Sequence, residues 1–183
     1  MGETKNYIFP ASTGLSSFRD AGYKDTSMAV AELIDNSIQA KATKIRVIAF
    51  EEIVQSKASK QRSVNKVAVF DNGEGMAKNI LELCLGFAQG TRLDKREGIG
   101  RFGVGLPLAS ISQCKRVTVY SWQGGKTPLK THLDIEEVIT KKQNYTNEAI
   151  PEELPPEFQE VVGDLIGNSG SLVIWENLSL IHI

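Results

Sequence analysis

Apolar residues recur along this chain first at helical and then at strand spacing, and each change of period marks an element. Tyr7 to Gly22 mixes Pro10 and Gly14 with Ile8, Leu15 and Phe18, and reads as an extended arm followed by a short helical turn. Asp25, Thr26 and Ser27 are suited to a helix N-cap, and a helical run from Met28 to Ile38 follows them. Met28, Ala31, Leu33, Ile34 and Ile38 do not keep to one narrow stripe, which predicts a helix buried around much of its girth. Lys44 to Phe50 and Lys66 to Phe70 read as strands, joined by a polar hairpin tip from Glu52 to Asn65. Ala77 to Phe87 is predicted helical, with Ile80, Leu81, Leu83 and Cys84 as its apolar face. Gln89 to Val104 shows no period and reads as a long loop. Leu106 to Ser112 resumes a helix, and Arg116 to Trp122 pairs with Leu129 to Ile135 across the Gly124-Gly125 turn. Lys141 to Pro156 reads as a polar loop, Phe158 to Ile166 as a short helix and Ser171 to Trp175 as a last strand. The pattern predicts an α+β, two-layer sandwich, a mostly antiparallel mixed sheet covered on one face by helices.

Composition narrows the function classes. At 183 residues, with 41% hydrophobic and 23% charged residues, the chain is sized for one domain with a core and is not a disordered segment. Lys and Arg number 21 against 22 Asp and Glu, so no overall charge favours nucleic acid or an anionic membrane. No apolar run approaches the ~20 residues of a membrane span, and the polar start is not a signal peptide. Two cysteines and two histidines leave little for a zinc cluster, and no spacing supports a Ser-His-Asp hydrolase. Cytoplasmic residence, or nuclear in a eukaryote, is the expectation.

Three clusters carry candidate chemistry. Glu32 and Asn36 stand four residues apart within Ala31-Glu32-Leu33-Ile34-Asp35-Asn36-Ser37, so both side chains point the same way from the helix. A carboxylate beside an amide oxygen suits water and a hard cation such as magnesium; a solvated polar stripe fits the same residues equally well. Asp71-Asn72-Gly73-Glu74-Gly75 follows a strand directly, and an Asp there can accept from an exocyclic amine, as adenine recognition requires. Read alone, it fits a plain turn better. The third cluster, Gly98 to Gly105, opens a helix at Leu106 and would free backbone N–H groups for phosphate oxygens. Gly98, Gly100 and Gly103 spell the dinucleotide-binding pattern, but a charged loop rather than a strand precedes them. Gly100, Gly103 and Gly105 fit the helix start better, and no Walker A loop occurs.

Taken in order, these residues resemble the GHKL ATPase superfamily of DNA gyrase B, the 90-kDa heat-shock chaperones, sensor histidine kinases and MutL. The run Glu32-Leu33-x-Asp35-Asn36-Ser37 resembles its N box, Asp71-x-Gly73-x-Gly75 its first glycine box, and Gly100-x-x-Gly103-x-Gly105 its second. Gly170-Ser171 before Leu172-Val173-Ile174 resembles its last motif, with Ser where Thr is usual. The resemblance implies a Bergerat-type ATP-binding fold over 26–183, preceded by an arm and short helix over 1–25. It implies ATP and Mg²⁺ as ligands, Glu32 as the base that activates water, and Asn36 as the magnesium ligand. It implies Asp71 as the reader of adenine, with Gly73 and Gly75 letting the base lie against the chain and Met76 and Ile80 as apolar walls. Gly100, Arg101, Phe102, Gly103, Val104 and Gly105 would form the lid around the phosphates, and Ser171 would relay a water to adenine.

Two departures qualify the kinship with gyrase. Gln39 stands where many relatives carry Asp, and Glu74 where gyrase-like proteins carry Arg; both members of a possible ion pair have changed, and a Gln39 amide could still donate to the Glu74 carboxylate. Gyrase and MutL also bring a lysine to the γ-phosphate from a following, transducer-like domain, which implies that this chain is an N-terminal module of a longer protein. The expected function is Mg-dependent ATP binding and hydrolysis, slow in the isolated domain, with lid closure driving conformational change or homodimerisation. The arm fits exchange between subunits and packing on its own domain equally. A histidine-kinase-type phosphotransfer domain and a nucleotide-sensing scaffold are the alternatives. Lys57, Lys60, Arg62 and Lys66 form a basic hairpin tip that could meet DNA.

Overall fold

The computed structural model describes residues 11–55, 60–87 and 105–178. Their order is α1 (Ala11–Ala21), α2 (Thr26–Gln39), β1 (Ile45–Gln55), β2 (Lys60–Asp71), α3 (Lys78–Leu83) and α4 (Gly105–Gln113). Then come β3 (Cys114–Trp122), β4 (Leu129–Asp134), α5 (Ile135–Lys141), β5 (Ile150–Pro151), α6 (Pro156–Val162) and β6 (Gly170–Leu178). The six strands form one sheet, in the order β1-β2-β6-β3-β4-β5, and each pairing is antiparallel. This is the expected α+β fold.

Strand alternation sorts the core into two layers. Val69 of β2, Val117 and Val119 of β3 and Trp175 of β6 turn to one face, where they meet Leu15, Ala29, Leu33, Leu81, Ile111 and Val138 from α1 to α5. The fully buried Trp175 donates its indole N–H to Ser110 Oγ at 2.9 Å, which satisfies a polar group inside that layer. Ala68, Phe70, Tyr120, Trp122, Leu172 and Ile174 turn to the other face, where Leu154 and the short α6, through Phe158 and Val162, cover them. The main helical layer is thus on one face, and α6 adds a smaller cap opposite it.

The helix α2 starts where its sequence signals say: Asp25 is extended (φ −105, ψ 121), and its carboxylate accepts from Ser27 N–H at 2.8 Å. Its burial corrects the expectation. Only Ala29, Leu33 and Ser37 are buried, one line at four-residue spacing, while Met28 and Ile38 are each 58% exposed. The helix lies on the sheet along one face instead of being enclosed.

Several boundaries also move. The residues from Ala11 to Ala21 form three turns of helix rather than one. Leu15 is buried in the main core and Phe18 stacks on Phe87 at 4.8 Å between centroids, so this part of the arm packs on its own domain. The supposed polar tip from Glu52 to Asn65 is mostly paired strand, with Gln55 opposite Lys60. The expected helix from Ala77 to Phe87 stops at Leu83 and continues as turns. A helix, α5, fills the stretch between the expected strand, which ended at Ile135, and the expected loop, which began at Lys141; Asp134 caps it by accepting from Glu136 and Glu137 N–H. Within the expected loop, Ile150 pairs with Lys130. Between β3 and β4, Gly124 and Gly125 have φ of +64° and +65°, the left-handed region that this turn needs. Among the described residues no helix is long and apolar enough to cross a membrane.

Candidate functional site

Between α2 and the sheet lies a crevice of about 460 Å³, within the usual range for a small-molecule site. Glu32, Asn36, Asp71, Gly75, Met76, Ile80, Gly105 and Ser171, all singled out in the sequence, line it together. Gly100, Arg101, Phe102, Gly103 and Val104 lie outside the described residues.

The sheet builds one end. Asp71 closes β2, and the register sets it opposite Ser171 of β6, which is in turn opposite Ser121 of β3. Three polar side chains therefore lie in a row across three adjacent strands. Two residues inward along each strand, Val69 and Val173 line the same crevice as apolar floor.

Asp71 is 5% exposed, yet its carboxylate is anchored on both oxygens. Gly73 N–H donates to Oδ1 at 2.8 Å, and Ser37 Oγ lies 3.2 Å from Oδ2 and 3.1 Å from Leu33 O. Each carboxylate oxygen keeps acceptor capacity for a further donor. Burial pushes the Asp71 carboxyl above its ordinary value, and the two hydrogen bonds pull part of the way back. Ser121 is committed: Oγ donates to Gly170 O at 2.9 Å and accepts from Met76 N–H at 2.8 Å. Its 3.4 Å contact with Ser171 Oγ then has Ser171 as donor and is long, so Ser171 has capacity left for a ligand or a water.

The glycines after Asp71 have a packing role within the protein itself. A Cβ on Gly73 would fall 2.6 Å from Ala40 O, and one on Gly75 (φ +66°) would fall 2.2 Å from Trp122 O. Both would strike protein backbone, so the loop is bare because it docks tightly on the end of α2 and on β3. Asn72 completes that docking by accepting from Thr43 and Lys44 N–H at 2.9 and 2.8 Å. Glu74 forms an ion pair with Lys41 Nζ at 2.5 Å, at the exposed rim. Gly73 stands behind the crevice, with its N–H turned onto Asp71.

The other end is built by α2 and the start of α4. Glu32 and Asn36, one turn apart, both reach the crevice. Tyr23 O–H donates to Glu32 Oε2 at 3.2 Å. Gly105, the first residue of α4, lies so close that a Cβ there would be 2.0 Å from Glu32 Oε1. Among the described residues no cluster of three carboxylate, imidazole or thiol groups could hold a metal alone. The Asn36 amide oxygen suits magnesium, which draws most of its shell from phosphates and water.

Sequence reasoning missed Ser37 and Ser121 as site residues, and Tyr23 altogether. Ser37 had a readable signal, four residues after the buried Leu33 and inside the same motif. Ser121 had none, because its place depends on the strand order β2-β6-β3.

A family model described as histidine kinase-, DNA gyrase B-, and HSP90-like ATPase matches residues 23–169. Comparison with curated proteins gives no match.

Proposed function

Because the chain belongs to the histidine kinase-, DNA gyrase B- and HSP90-like ATPase family, we propose that this crevice is its nucleotide site and that it binds and hydrolyses Mg·ATP. The observation that carries the reading is the separation of two acidic groups within one cavity. Asp71 is buried at the sheet end beside apolar walls, while Glu32 shares the helical end with an amide. A buried carboxylate that only accepts suits the exocyclic amine of adenine, with Met76, Ile80 and Val173 against the faces and edge of the ring. Ser171 stands one strand away to accept or relay a water.

At the helical end, the Asn36 amide oxygen would hold magnesium. Magnesium, when bound, offsets charge on the phosphate oxygens. Glu32 would take a proton from a water as the oxygen of that water attacks the γ-phosphorus. The bond to the β–γ bridging oxygen breaks, and ADP departs with that electron pair. Gly105 places the first turn of α4, nine residues long, at the phosphate end, where helix N–H groups favour negative charge. Coupling of this cycle to further domains or to a second copy belongs to the same proposal. It is checked by sedimentation with and without a non-hydrolysable ATP analogue.

Phosphate release and equilibrium ATP binding, measured with magnesium for wild type and Glu32→Ala, test the reading. Glu32→Ala should bind ATP within about threefold of wild type and lose at least about a hundredfold in turnover. Normal turnover by Glu32→Ala would remove Glu32 as the base. A phosphorylated protein product would favour a kinase, and binding without any turnover in wild type a sensor.

A further inference from the structure

We infer that Tyr23 is a positioning residue for the Glu32 carboxylate, held in place by Gln113 from the far end of α4. The inference rests on the reading of Glu32 as the base. Tyr23 lies in the link between α1 and α2, with its ring packed against the main core and its hydroxyl 3.2 Å from Glu32 Oε2. The backbone of that link is clasped from α4. Gln113 Nε2 donates to Tyr23 O at 2.7 Å, and Thr26 Oγ1 donates to Gln113 Oε1 at 2.8 Å. Gln113 is 1% exposed, so this bracket is a buried amide with both ends satisfied, costly to disturb.

The two ends of α4 thus converge on one carboxylate. Gly105, at the start, crowds Oε1, and Gln113, at the end, fixes the tyrosine that engages Oε2. A phenol is suited to this place. Burial, followed by the charge of Glu32, raises the Tyr23 hydroxyl above its ordinary value, so it stays a neutral donor at physiological pH. It can orient the carboxylate without the full positive charge that a lysine or arginine would set against its basicity. A base held in one rotamer meets its water in attacking geometry more often, and small misplacement of such groups is expensive in rate.

Turnover kinetics of the 183-residue chain with Mg·ATP test this, using Tyr23→Phe, Glu32→Gln, Glu32→Asp and the double variant Tyr23→Phe/Glu32→Asp. Tyr23→Phe keeps the ring and loses only the hydroxyl. It should lower kcat about tenfold, the scale of one hydrogen bond to a charged group, with KM within about twofold and an unchanged unfolding midpoint. Glu32→Asp withdraws the carboxylate by one methylene, so adding Tyr23→Phe to it should cost little more. Gln113→Met, which removes the bracket, should reproduce the selective fall in kcat. Unchanged kcat in Tyr23→Phe, an equal loss in the Glu32→Asp background, or a rise in KM as large as the fall in kcat would overturn the positioning role. Wild-type turnover by Glu32→Gln would instead overturn the base reading beneath it.

Discussion

Asp71→Asn separates recognition from folding. In the wild type the carboxylate sits 5% exposed, with Gly73 N–H on Oδ1 at 2.8 Å and Ser37 Oγ 3.2 Å from Oδ2. An amide can keep both contacts. Its oxygen still accepts from Gly73, while Ser37 turns its hydrogen to Leu33 O, 3.1 Å away, and accepts from the amide nitrogen. What changes is the charge and one acceptor. Burial raises the Asp71 carboxyl above 3.8, so the folded chain binds this proton more tightly than the unfolded chain. The resulting stability is complete below the unfolded value and is lost as pH rises through the raised folded one. At neutral pH the ionised group therefore costs stability, and Asp71→Asn should melt no lower than wild type. That advantage should shrink as pH falls toward the ordinary carboxylate range. ATP binding should suffer instead, because a charge-assisted hydrogen bond to the adenine amine is replaced by two opposed donors. One lost bond to a charged acceptor plus one unmet donor is about 3–4 kcal/mol, roughly 10²–10³-fold in Kd. Calorimetric titration with Mg·ATP and thermal unfolding, each at pH 5 and 7.5, read the two effects apart. Affinity within about threefold of wild type would refute the adenine reading, and a large drop in melting temperature at pH 7.5 would show that the carboxylate is structural.

Three other substitutions or treatments follow from the same geometry. Gly75→Ala forces a left-handed residue to carry a Cβ 2.2 Å from Trp122 O, and should cost more than about 2 kcal/mol in urea unfolding; a neutral change would contradict the docked loop. Gly105→Ala places its Cβ 2.0 Å from Glu32 Oε1, which can swing away, so turnover should fall further than ATP affinity. Turnover that survives intact would show that Glu32 does not act from its present position. Burial pushes the Cys84 thiol up to about 12, so little of it is thiolate at pH 8. Alkylation of the folded chain at that pH should be far slower than that of a small thiol; labelling at an ordinary thiol rate would place Cys84 in a different environment.

What the sequence revealed depended on how local each signal was. The N-cap Asp25 is found as read, and Glu32 and Asn36, set by the same helix, both line the crevice. The β1–β2 tip looked like loop for a physical reason. Only Lys66–Asp71 of β2 pairs with β6, so the outer ribbon is two-stranded and carries polar residues on both faces. The α5 helix was hidden because His132 to Ile135 alternates like the strand it follows, although Asp134 with Glu136 and Glu137 spells an N-cap and an acidic first turn. Met28 and Ile38 misled because apolar residues are common on surfaces, and an irregular stripe is not proof of enclosure. The row Asp71, Ser171 and Ser121 could not be read at all, since it exists only through the pairing of three strands far apart in the chain. The Tyr23 contact likewise depends on how the α1–α2 link is clasped by α4.

A crystal structure of the chain with magnesium and a non-hydrolysable ATP analogue would locate the nucleotide outright. The adenine amine should lie in hydrogen-bond contact with Asp71, Asn36 on the metal, and the γ-phosphate facing Glu32 across from Gly105. Nucleotide bound elsewhere, or bound here with its phosphates toward Asp71, would contradict this arrangement.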